Sequence, residues 1–503
     1  MQNAILLRRT IDLPRKAVEF PADSVWLNID KPLAIKDLRG QIVVLDFWTY
    51  CCINCIHTIP DLEWIENKYS DQPVVIIGVH SAKYQNEQDP ENIQEAIGRY
   101  EVGHPVVVDA DMRIWRSYGV SGWPTIMVID PKGNIVYHQS GEGQRDNIDD
   151  VIGVILERSR QQGVLAKSPI PQTRPSSAKR TLSYPGKLSL STDGKAIAIC
   201  DSNHNRILIV DTGSGRISAK IGNGTRGLCD GGYSDAMFYR PQGVAWVQDE
   251  IYVADTENHA LRVINLRHKV VRTLAGNGRQ GRWISTFQQG KDAQLNSPWD
   301  VTHDNGFLFI AMAGLHQIWA YEISSGRIGP LAGSGYEGIV GGAIEQAQFA
   351  QPSGLSICGD SLYVADSEVS AVRRVDLRQR TVETIAGAGL FVFGHNDGPL
   401  GSALMQHPLG VTCSREMIYI ADTYNHAVRR IDKEQKVITT IVGKADSKTM
   451  CNFDDPTCDS LGLYEPSDVK LRGATLFISD TNNHLIRTFD LKSGILRTLP
   501  VSE

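Results

Sequence analysis

Hydrophobic and polar positions follow two different patterns along the chain, and the change lies near residues 161–180. Before it, short apolar runs of strand length alternate with amphipathic stretches of helical period. A strand–helix–strand unit followed by a hairpin and a closing helix implies a mixed sheet with helices on both faces. The predicted strands are 43–48, 74–79, 106–109, 125–130 and 135–139, and the predicted helices are 55–67, 91–99 and 146–160.

After the change, a strand-like segment that begins with proline recurs six times, and each copy leads into a second apolar strand. Six such units of about four strands predict a six-bladed β-propeller, in which ring closure protects the sheet edges. A long β-solenoid is the alternative, but its repeats are usually shorter. The second strands are expected to end 54 to 58 residues apart, at Asp201, Asp255, Met312, Asp366, Asp422 and Asp480.

The chain is therefore predicted to be multidomain, with an α/β domain followed by an all-β domain. The α/β domain, with an N-terminal extension, is placed at residues 1–160 and the propeller at residues 181–503. Residues 161–180 are rich in Pro, Ser and basic side chains without apolar periodicity, which is typical of an exposed linker.

Some polar residues recur in most of the six units. The recurring Asp ends a strand and faces a turn, and in four units an Arg follows seven residues later as a candidate ion-pair partner. A catalytic residue is needed once, so we interpret these pairs as scaffold. A Gly-x-Gly-x-x-Gly motif recurs in three units without a helical pattern after it, which indicates an inter-blade turn and not a dinucleotide site. The arginines are Arg262, Arg373, Arg429 and Arg487, and the glycine motifs begin at Gly222, Gly276 and Gly333.

The third unit departs from this pattern, because Met312 replaces the Asp and Trp319 replaces the Arg. Aromatic side chains crowd this unit, and we expect them to pack between blades; an apolar docking surface for the first domain or a partner is the alternative. Between the fifth and sixth units, Cys451 and Cys458 are expected to be free thiols, since stable disulfides are uncommon in a reducing compartment.

Composition and charge narrow the functional classes. The chain has 51 Lys and Arg against 57 Asp and Glu, a formal charge of −6, and neither half is basic. Nucleic-acid binding needs clustered positive charge, so no nucleic-acid partner is predicted. No run of 18 apolar residues exists, so no membrane partner is predicted either. The first residues lack the order of a signal peptide, which predicts a cytoplasmic protein.

The candidate chemistry lies in the segment VVLDFWTYCCINC, residues 43–55. A buried strand ends there, and Cys52 and Cys55 form a Cys-x-x-Cys pair where the next helix begins. The N-terminus of a helix stabilises a thiolate, so a lowered pKa is expected at Cys52, with Cys55 one turn away to attack a mixed disulfide. Such a pair near a βαβ pattern indicates a redox site. Structural zinc needs a second ligand pair, which is absent from the sequence, so neither a metal nor a cofactor is predicted.

This segment resembles thioredoxin, in particular the branch whose active site reads FWTYxCINC, with Trp48 and the preceding Phe as its aromatic pair. The resemblance implies that Asp46 is the buried proton acceptor for the resolving cysteine. It also implies that Trp123, Pro124 and Thr125 belong to the loop whose proline is cis and presents backbone to a substrate. Together with the blade sequences, the chain is similar to the NHL-repeat-containing protein 2 family, whose members can carry a further C-terminal β domain.

The first functional hypothesis is a thiol–disulfide oxidoreductase acting on a protein disulfide or thiol. In it Cys52 attacks, Cys55 resolves, Asp46 handles the proton and Pro124 helps to hold the substrate backbone. The propeller is then a protein-recognition module that forms a cleft with the redox domain. Cys51 is interpreted as a small, half-buried side chain, with resolution of an alternative disulfide as the other possibility.

Two alternatives stay open at the level of sequence. One is a protein-interaction scaffold in which the thioredoxin-like domain is regulatory or vestigial. The other is copper handling, since Cys51 and Cys55 form a soft thiolate pair that suits Cu(I) together with a histidine. The candidate histidines are His57, His80 and His138. The sequence makes no prediction of the oligomeric state.

Overall fold

A computed structural model describes residues 15–168, 180–282, 286–443, 448 and 462–503. The chain divides into two compact units, Met1–Ala178 and Lys179–Glu503. Most of the predicted linker, residues 169–179, lies outside the described residues. Each unit is described below by itself.

The first unit is built on one mixed sheet of seven strands in the order β1-β7-β6-β3-β4-β5-β2. The central strand β3 is fully buried and pairs parallel with β4 and antiparallel with β6. Apolar side chains of alternating positions along β3 enter different core clusters, because successive residues of a strand point to opposite faces. The strands are β1 (Arg15–Lys16), β2 (Trp26–Leu27), β3 (Ile42–Trp48), β4 (Val74–Ser81), β5 (Val106–Asp109), β6 (Thr125–Ile129) and β7 (Asn134–Ser140).

In the described part of this unit, four α-helices accompany the sheet, and three of them were predicted from the sequence. The helix Pro90–Tyr100 begins after its N-cap residue Asp89, whose side chain accepts the backbone N–H of Glu91 at 2.9 Å. Among the described residues, no helix is long and apolar enough to cross a membrane. The helices are α1 (Ile53–Lys68), α2 (Pro90–Tyr100), α3 (Arg113–Tyr118) and α4 (Arg145–Gln161), of which the six-residue α3 was not predicted.

The second unit consists of six antiparallel sheets, each with four main strands. All six second strands end at the predicted residues. In four blades, two residues from the preceding loop add a short outer strand. From the innermost strand outwards, blades 1 to 6 comprise Pro185–Leu190, Ala196–Asp201, Arg206–Asp211 and Ile217–Ile221; Gly243–Val247, Glu250–Asp255, Ala260–Asn265 and Val270–Ala275; Pro298–Asp304, Phe307–Met312, Gln317–Glu322 and Arg327–Ala332; Pro352–Cys358, Ser361–Asp366, Ala371–Asp376 and Thr381–Ala386; Gly410–Cys413, Met417–Asp422, Ala427–Asp432 and Val437–Gly443; Pro466–Arg472, Thr475–Asp480, Leu485–Asp490 and Ile495–Leu499.

The blades close into a ring, because the inner strand of each blade contacts that of the next and the sixth contacts the first. At the ring closure, the Asp468 carboxylate accepts the backbone N–H of Leu188 at 2.8 Å. Ser502 also pairs with Arg216 beside the outer strand of blade 1. The architecture is therefore a thioredoxin-like α/β unit joined to an all-β, six-bladed propeller, as predicted.

One hydrogen bond recurs at all six blade junctions, and we call it the blade clasp. The residue that follows the short turn after the second strand offers a side-chain acceptor to a backbone N–H just before the inner strand of the next blade. Each donor residue has a left-handed backbone, with φ between 44° and 59°. The acceptor–donor pairs are Asn205–Arg240 (3.0 Å), His259–Ser297 (3.0 Å), His316–Gln351 (3.1 Å), Ser370–His407 (3.2 Å), His426–Glu465 (3.1 Å) and His484–Tyr184 (2.9 Å).

A buried Asp–Arg pair lies within each of four blades. In blade 5, Arg429 Nη1 donates to Asp422 Oδ2 at 2.6 Å, and Asp422 Oδ1 accepts the backbone N–H of Gln406 at 2.8 Å. The carboxylate thus anchors the segment before the inner strand, which supports the scaffold interpretation. The other three pairs are Asp255–Arg262, Asp366–Arg373 and Asp480–Arg487, with N–O distances of 2.8, 3.0 and 3.5 Å.

In blade 3, Met312 and Trp319 take the places of the Asp and the Arg. The sulfur of Met312 accepts the backbone N–H of Asn296, and the Trp319 indole donates to Gln317 Oε1 at 2.9 Å. Trp319 and most of the aromatic side chains around it are buried in clusters within and between blades. Packing between blades, and not an apolar docking surface, is therefore the role of these buried aromatics.

The glycine motifs lie in the loops that leave the outer strands, as predicted. Gly222 directly follows the strand Ile217–Ile221 and has a φ of 108°. A Cβ there would lie 2.9 Å from the carbonyl oxygen of Asn205, so this turn requires glycine.

A disulfide joins Cys358 of blade 4 to Cys413 of blade 5. The cytoplasmic environment predicted from the sequence disfavours stable disulfides, and this bond departs from that expectation. Its physical reason is that residues one repeat apart occupy neighbouring places on adjacent inner strands. Cys451 and Cys458 lie outside the described residues.

Candidate active site

The Cys-x-x-Cys pair lies where β3 gives way to α1. Cys52 is the N-cap residue of this helix with an extended backbone (φ −82°, ψ 116°), and its carbonyl oxygen accepts the N–H of Ile56 at 3.1 Å. Cys52 is half-buried, whereas Cys55 in the first turn is completely buried. The strand-to-helix boundary thus places one accessible and one enclosed thiol side by side.

The two thiols differ in acidity. A hydrogen bond from the Cys55 thiol lowers the pKa of Cys52, and Lys83 adds a favourable positive charge. Burial raises the pKa of Cys55 well above its ordinary value. A low-pKa thiol at the start of a helix is a nucleophile in the form of its thiolate, whereas Cys55 needs a base before it reacts.

Asp46 lies on β3 and is 1% exposed. Within the described part of the chain, its Oδ1 has no hydrogen-bond partner. Burial raises the pKa of this carboxyl from 3.8 to about 7, with His104 opposing the shift. Its charge also raises the pKa of Cys55, so the two groups are electrostatically linked. A carboxyl with this pKa is able to accept or release a proton near neutral pH.

Aromatic side chains enclose the strand side of this site. Trp48 is 1% exposed and meets the ring of His80 edge-on at 5.0 Å, while Tyr50 stacks on His80 at 5.4 Å. Burial lowers the pKa of His80 to about 3, so this imidazole is neutral at physiological pH. In the described chain neither of its ring nitrogens has a hydrogen-bond partner.

The peptide bond between Trp123 and Pro124 is cis, as the resemblance to thioredoxin implies. The Trp123 indole donates to the carbonyl oxygen of Ser81 at 3.0 Å, which ties this loop to the end of β4. The Thr125 hydroxyl donates to the carbonyl oxygen of Gly122 at 2.7 Å and fixes the turn itself. These contacts fix a short segment at the start of β6.

Sequence reasoning missed Glu87, which lies in the loop after β4 and is completely buried. Its carboxylate accepts the backbone N–H of Cys51 at 2.9 Å. Cys51 itself is 1% exposed, more deeply enclosed than the half-buried position expected for it. A polar loop gives no periodic signal of burial, so no pattern in the sequence indicates this contact.

The histidines named for copper binding lie in three different surroundings. His57 pairs with Glu142 at 2.5 Å, His80 lies between aromatic rings and His138 is exposed on β7. No group of three or more His, Cys, Asp or Glu residues suited to a metal ion occurs among the residues described here.

Comparisons with known proteins find similarity in both units. A thioredoxin-like family model matches residues 40–135, and an NHL repeat model matches residues 238–264. The chain is 42% identical over 496 residues to protein Suppressor of Quenching 1, chloroplastic, from Arabidopsis thaliana, which covers 95% of this chain and 47% of that relative. It therefore spans about half the length of that relative.

Two further relatives extend this picture. The chain is 40% identical over 522 residues to NHL repeat-containing protein 2 from Homo sapiens, covering 96% of this chain and 71% of that relative. Over 124 residues it is 28% identical to thiol-disulfide oxidoreductase ResA from Halalkalibacterium halodurans, covering 24% of this chain and 67% of that relative. The match to NHL repeat-containing protein 2 spans both units, whereas the match to ResA is short.

Proposed function

Because the chain belongs to the NHL repeat-containing protein 2 family, we propose that it is a thiol–disulfide oxidoreductase whose propeller binds protein partners. The observation that carries this proposal is the asymmetry of the two thiols: Cys52 is half-buried with a lowered pKa, and Cys55 is buried with a raised one. The local similarity to a relative named as a thiol-disulfide oxidoreductase supports the same chemistry.

In the proposed reaction, the Cys52 thiolate attacks one sulfur of a substrate disulfide. A Cys52–substrate mixed disulfide forms, and the other substrate sulfur leaves as a thiolate that takes a proton from water. Asp46 then accepts the Cys55 proton, since its raised pKa of about 7 makes it a base of suitable strength. The Cys55 thiolate attacks the Cys52 sulfur, and the second substrate sulfur leaves as a thiolate that takes a proton from water. A Cys52–Cys55 disulfide remains for an external dithiol to reduce.

The residues around Pro124 supply the proposed substrate contact. Trp123 and Thr125 each donate a side-chain hydrogen bond to a backbone carbonyl oxygen, and the Pro124 carbonyl oxygen accepts the backbone N–H of Gly141 at 2.9 Å, so the short loop is held in place. We assign this segment to holding an extended substrate chain beside the cysteines, and Trp48 to enclosing the site.

The test is disulfide reduction by the full chain. Wild type with a dithiol reductant should reduce insulin disulfides, and Cys52→Ser should abolish this activity. Cys55→Ser should lose turnover but retain a mixed disulfide at Cys52, which mass spectrometry of trapped partners would identify. Cys229→Ser, which removes an exposed thiol in the loop between blades 1 and 2, is the matched control and should behave as wild type. Full activity of Cys52→Ser would overturn the proposal.

A scaffold function is the second candidate, favoured by exposed apolar side chains on two inter-blade loops. Tyr336 is 74% and Phe391 is 70% exposed, so both side chains offer apolar surface to a partner. If scaffolding is the main role, Tyr336→Ser/Phe391→Ser should lose partner proteins that Cys52→Ser still captures.

Localisation in the cytoplasm remains a prediction. The Cys358–Cys413 disulfide weighs against it, because structural disulfides are uncommon in reducing compartments. Measuring the redox state of this pair in intact cells, by differential alkylation, is the direct check.

A further inference from the structure

Two adjacent cysteines compete for the role of nucleophile in this site. Cys51 and Cys52 are neighbours in the chain, and both precede the helix that stabilises thiolates. Their surroundings differ, because Cys51 is 1% exposed while Cys52 is half-buried at the N-cap. The sulfur of Cys51 lies 3.9 Å from the Thr49 hydroxyl. The fold therefore holds the Cys51 thiol inward and leaves the Cys52 thiol at the surface.

Glu87 is the residue that meets the inward thiol. Its Oε1 accepts the backbone N–H of Cys51 at 2.9 Å, and its Oε2 accepts the backbone N–H groups of Lys83 and Tyr84 at 2.9 and 3.0 Å. The Thr49 hydroxyl is a further hydrogen-bond partner. These partners are neutral donors, so the carboxylate ties the loop before α1 to the loop after β4 while its charge stays beside Cys51.

This charge acts on the two thiols unequally. The pKa of Cys51 is raised well above its ordinary value by burial and then by the negative charge of Glu87, while Lys83 opposes the shift and Cys52 adds to it. The pKa of Cys52 is lowered by the Cys55 thiol and by Lys83. Burial raises the pKa of Glu87 as well, and its hydrogen bonds from Tyr84, Thr49, Cys51 and Lys83 oppose that rise. These donors favour the ionised carboxylate, while burial is the larger effect and leaves the pKa of Glu87 raised.

We propose that Glu87 is a positioning residue that selects the nucleophile: it anchors the backbone of Cys51 and keeps that thiol neutral, so that Cys52 alone forms the reactive thiolate. This inference rests on the proposed oxidoreductase function for its biological meaning. Its chemical content, the unequal ionisation of two neighbouring thiols, does not require a substrate.

The experiment is site-resolved alkylation of the reduced full chain across a pH series. Iodoacetamide reacts with thiolates, so mass spectrometry of the labelled peptide gives the pH midpoint of each cysteine. In wild type, Cys52 should be labelled at pH 7 and Cys51 should resist labelling up to pH 9. In Glu87→Gln, the midpoint of Cys51 should fall by about one pH unit or more, which is about tenfold more thiolate at neutral pH, while that of Cys52 stays in place.

The labelling midpoint of Cys51 distinguishes an effect of the Glu87 charge from a loosening of the loop. If Glu87 only supports the loop, Glu87→Gln will raise Cys51 labelling by the same factor at every pH and leave the midpoint unchanged, which overturns the proposal. Glu87→Asp, which retains the charge, should keep the Cys51 midpoint high. Glu157→Gln is the matched control, because Glu157 is an exposed carboxylate on α4, and it should leave both midpoints as in wild type.

A second measurement covers the case in which the Glu87 variants fail to fold. In Cys52→Ser/Cys55→Ser, Cys51 is the remaining thiol of the motif, and its labelling midpoint should stay above 9. A midpoint at or below the ordinary value for cysteine would overturn the proposal. If the labelling follows expectation but wild type reduces no insulin disulfide, the selection by Glu87 stands and the proposed function falls.

Discussion

Two buried carboxylates, one in each unit, have opposite surroundings. In the propeller, the Asp255 side chain is fully buried and pairs with the Arg262 guanidinium at 2.8 Å. In the thioredoxin-like unit, Asp46 is equally buried, yet its Oδ1 has no partner in the described structure. Burial raises the pKa of both, to about 6 at Asp255, where Arg262 opposes the shift, and to about 7 at Asp46.

This difference distinguishes a buried carboxylate with a structural role from one with a chemical role. A buried charge costs free energy unless a partner compensates it. Four blades supply that partner in the same place, so the carboxylate anchors a loop and nothing more. Asp46 occurs once and is electrostatically linked to Cys55, and no partner compensates its Oδ1 in the described structure. An uncompensated group of this kind is the mark of a site whose protonation state has to change.

The largest expected effect comes from removing a compensating cation. Arg429→Leu leaves Asp422 buried without its ion pair and should destabilise the propeller by about 3–5 kcal/mol. Urea denaturation of the full chain measures this change. The double variant Asp422→Met/Arg429→Leu, which imitates the Met of blade 3, should recover much of the loss. If the double variant is no more stable than the single one, compensation is not the role of Arg429.

Removing the buried charge of Asp46 should stabilise the first unit. Its pKa is 3.8 unfolded and about 7 folded, so the folded state holds its proton between these pH values while the unfolded state releases it. Stability is therefore lost as pH rises through this window, and the loss is complete above pH 7. Asp46→Asn should gain up to about 4 kcal/mol at pH 8 and nothing at pH 4, at 1.36 kcal/mol per pKa unit.

Hydrogen exchange of peptides that cover Ile42–Trp48 reports this local stability at both pH values. The same variant should slow resolution of the mixed disulfide, since Cys55 loses its proton acceptor. An equal gain at pH 4 and pH 8 would show that something other than the Asp46 charge is responsible.

The covalent link between blades 4 and 5 is the next test. Cys358→Ser/Cys413→Ser should lower the free energy of unfolding by about 2–4 kcal/mol, because the bond restricts a loop of unfolded chain. Dithiothreitol should destabilise wild type by a similar amount. The same reagent should leave the double variant unchanged, and a further loss there would indicate another disulfide in the chain.

The smallest effect concerns the blade clasp. His426→Ala removes the acceptor for the Glu465 N–H and should cost about 1–3 kcal/mol, the penalty for an unsatisfied buried donor. His426→Asn restores an acceptor of the kind that Asn205 supplies in blade 1, and should cost less. Thermal unfolding of the two variants compares them directly. Equal losses would mean that the histidine acts through its ring contact with Tyr464 instead.

The repeated parts of the fold were predictable because repetition averages out local ambiguity. All six second strands end at the positions read from the sequence, and the first unit shows the predicted mixed sheet. The helix α3 was not predicted because six residues carry too little periodicity to be distinguished from a loop.

The single features were harder to predict. Burial of Glu87 depends on donors from two loops that only folding brings together. The Cys358–Cys413 bond did leave a signal, because its separation of 55 residues is the length of one repeat. Equal spacing places two residues at matching positions of neighbouring blades, and that argument was available from the sequence.

Blade 3 shows which of the two repeated devices can be given up. It has lost the internal ion pair, with Met312 and Trp319 in its place, but His316 still accepts the N–H of Gln351 in the next blade. The ring thus behaves as a set of exchangeable parts with a common connector. A blade is free to drift in its interior, or to be grafted from another ring, as long as it offers an acceptor to its neighbour.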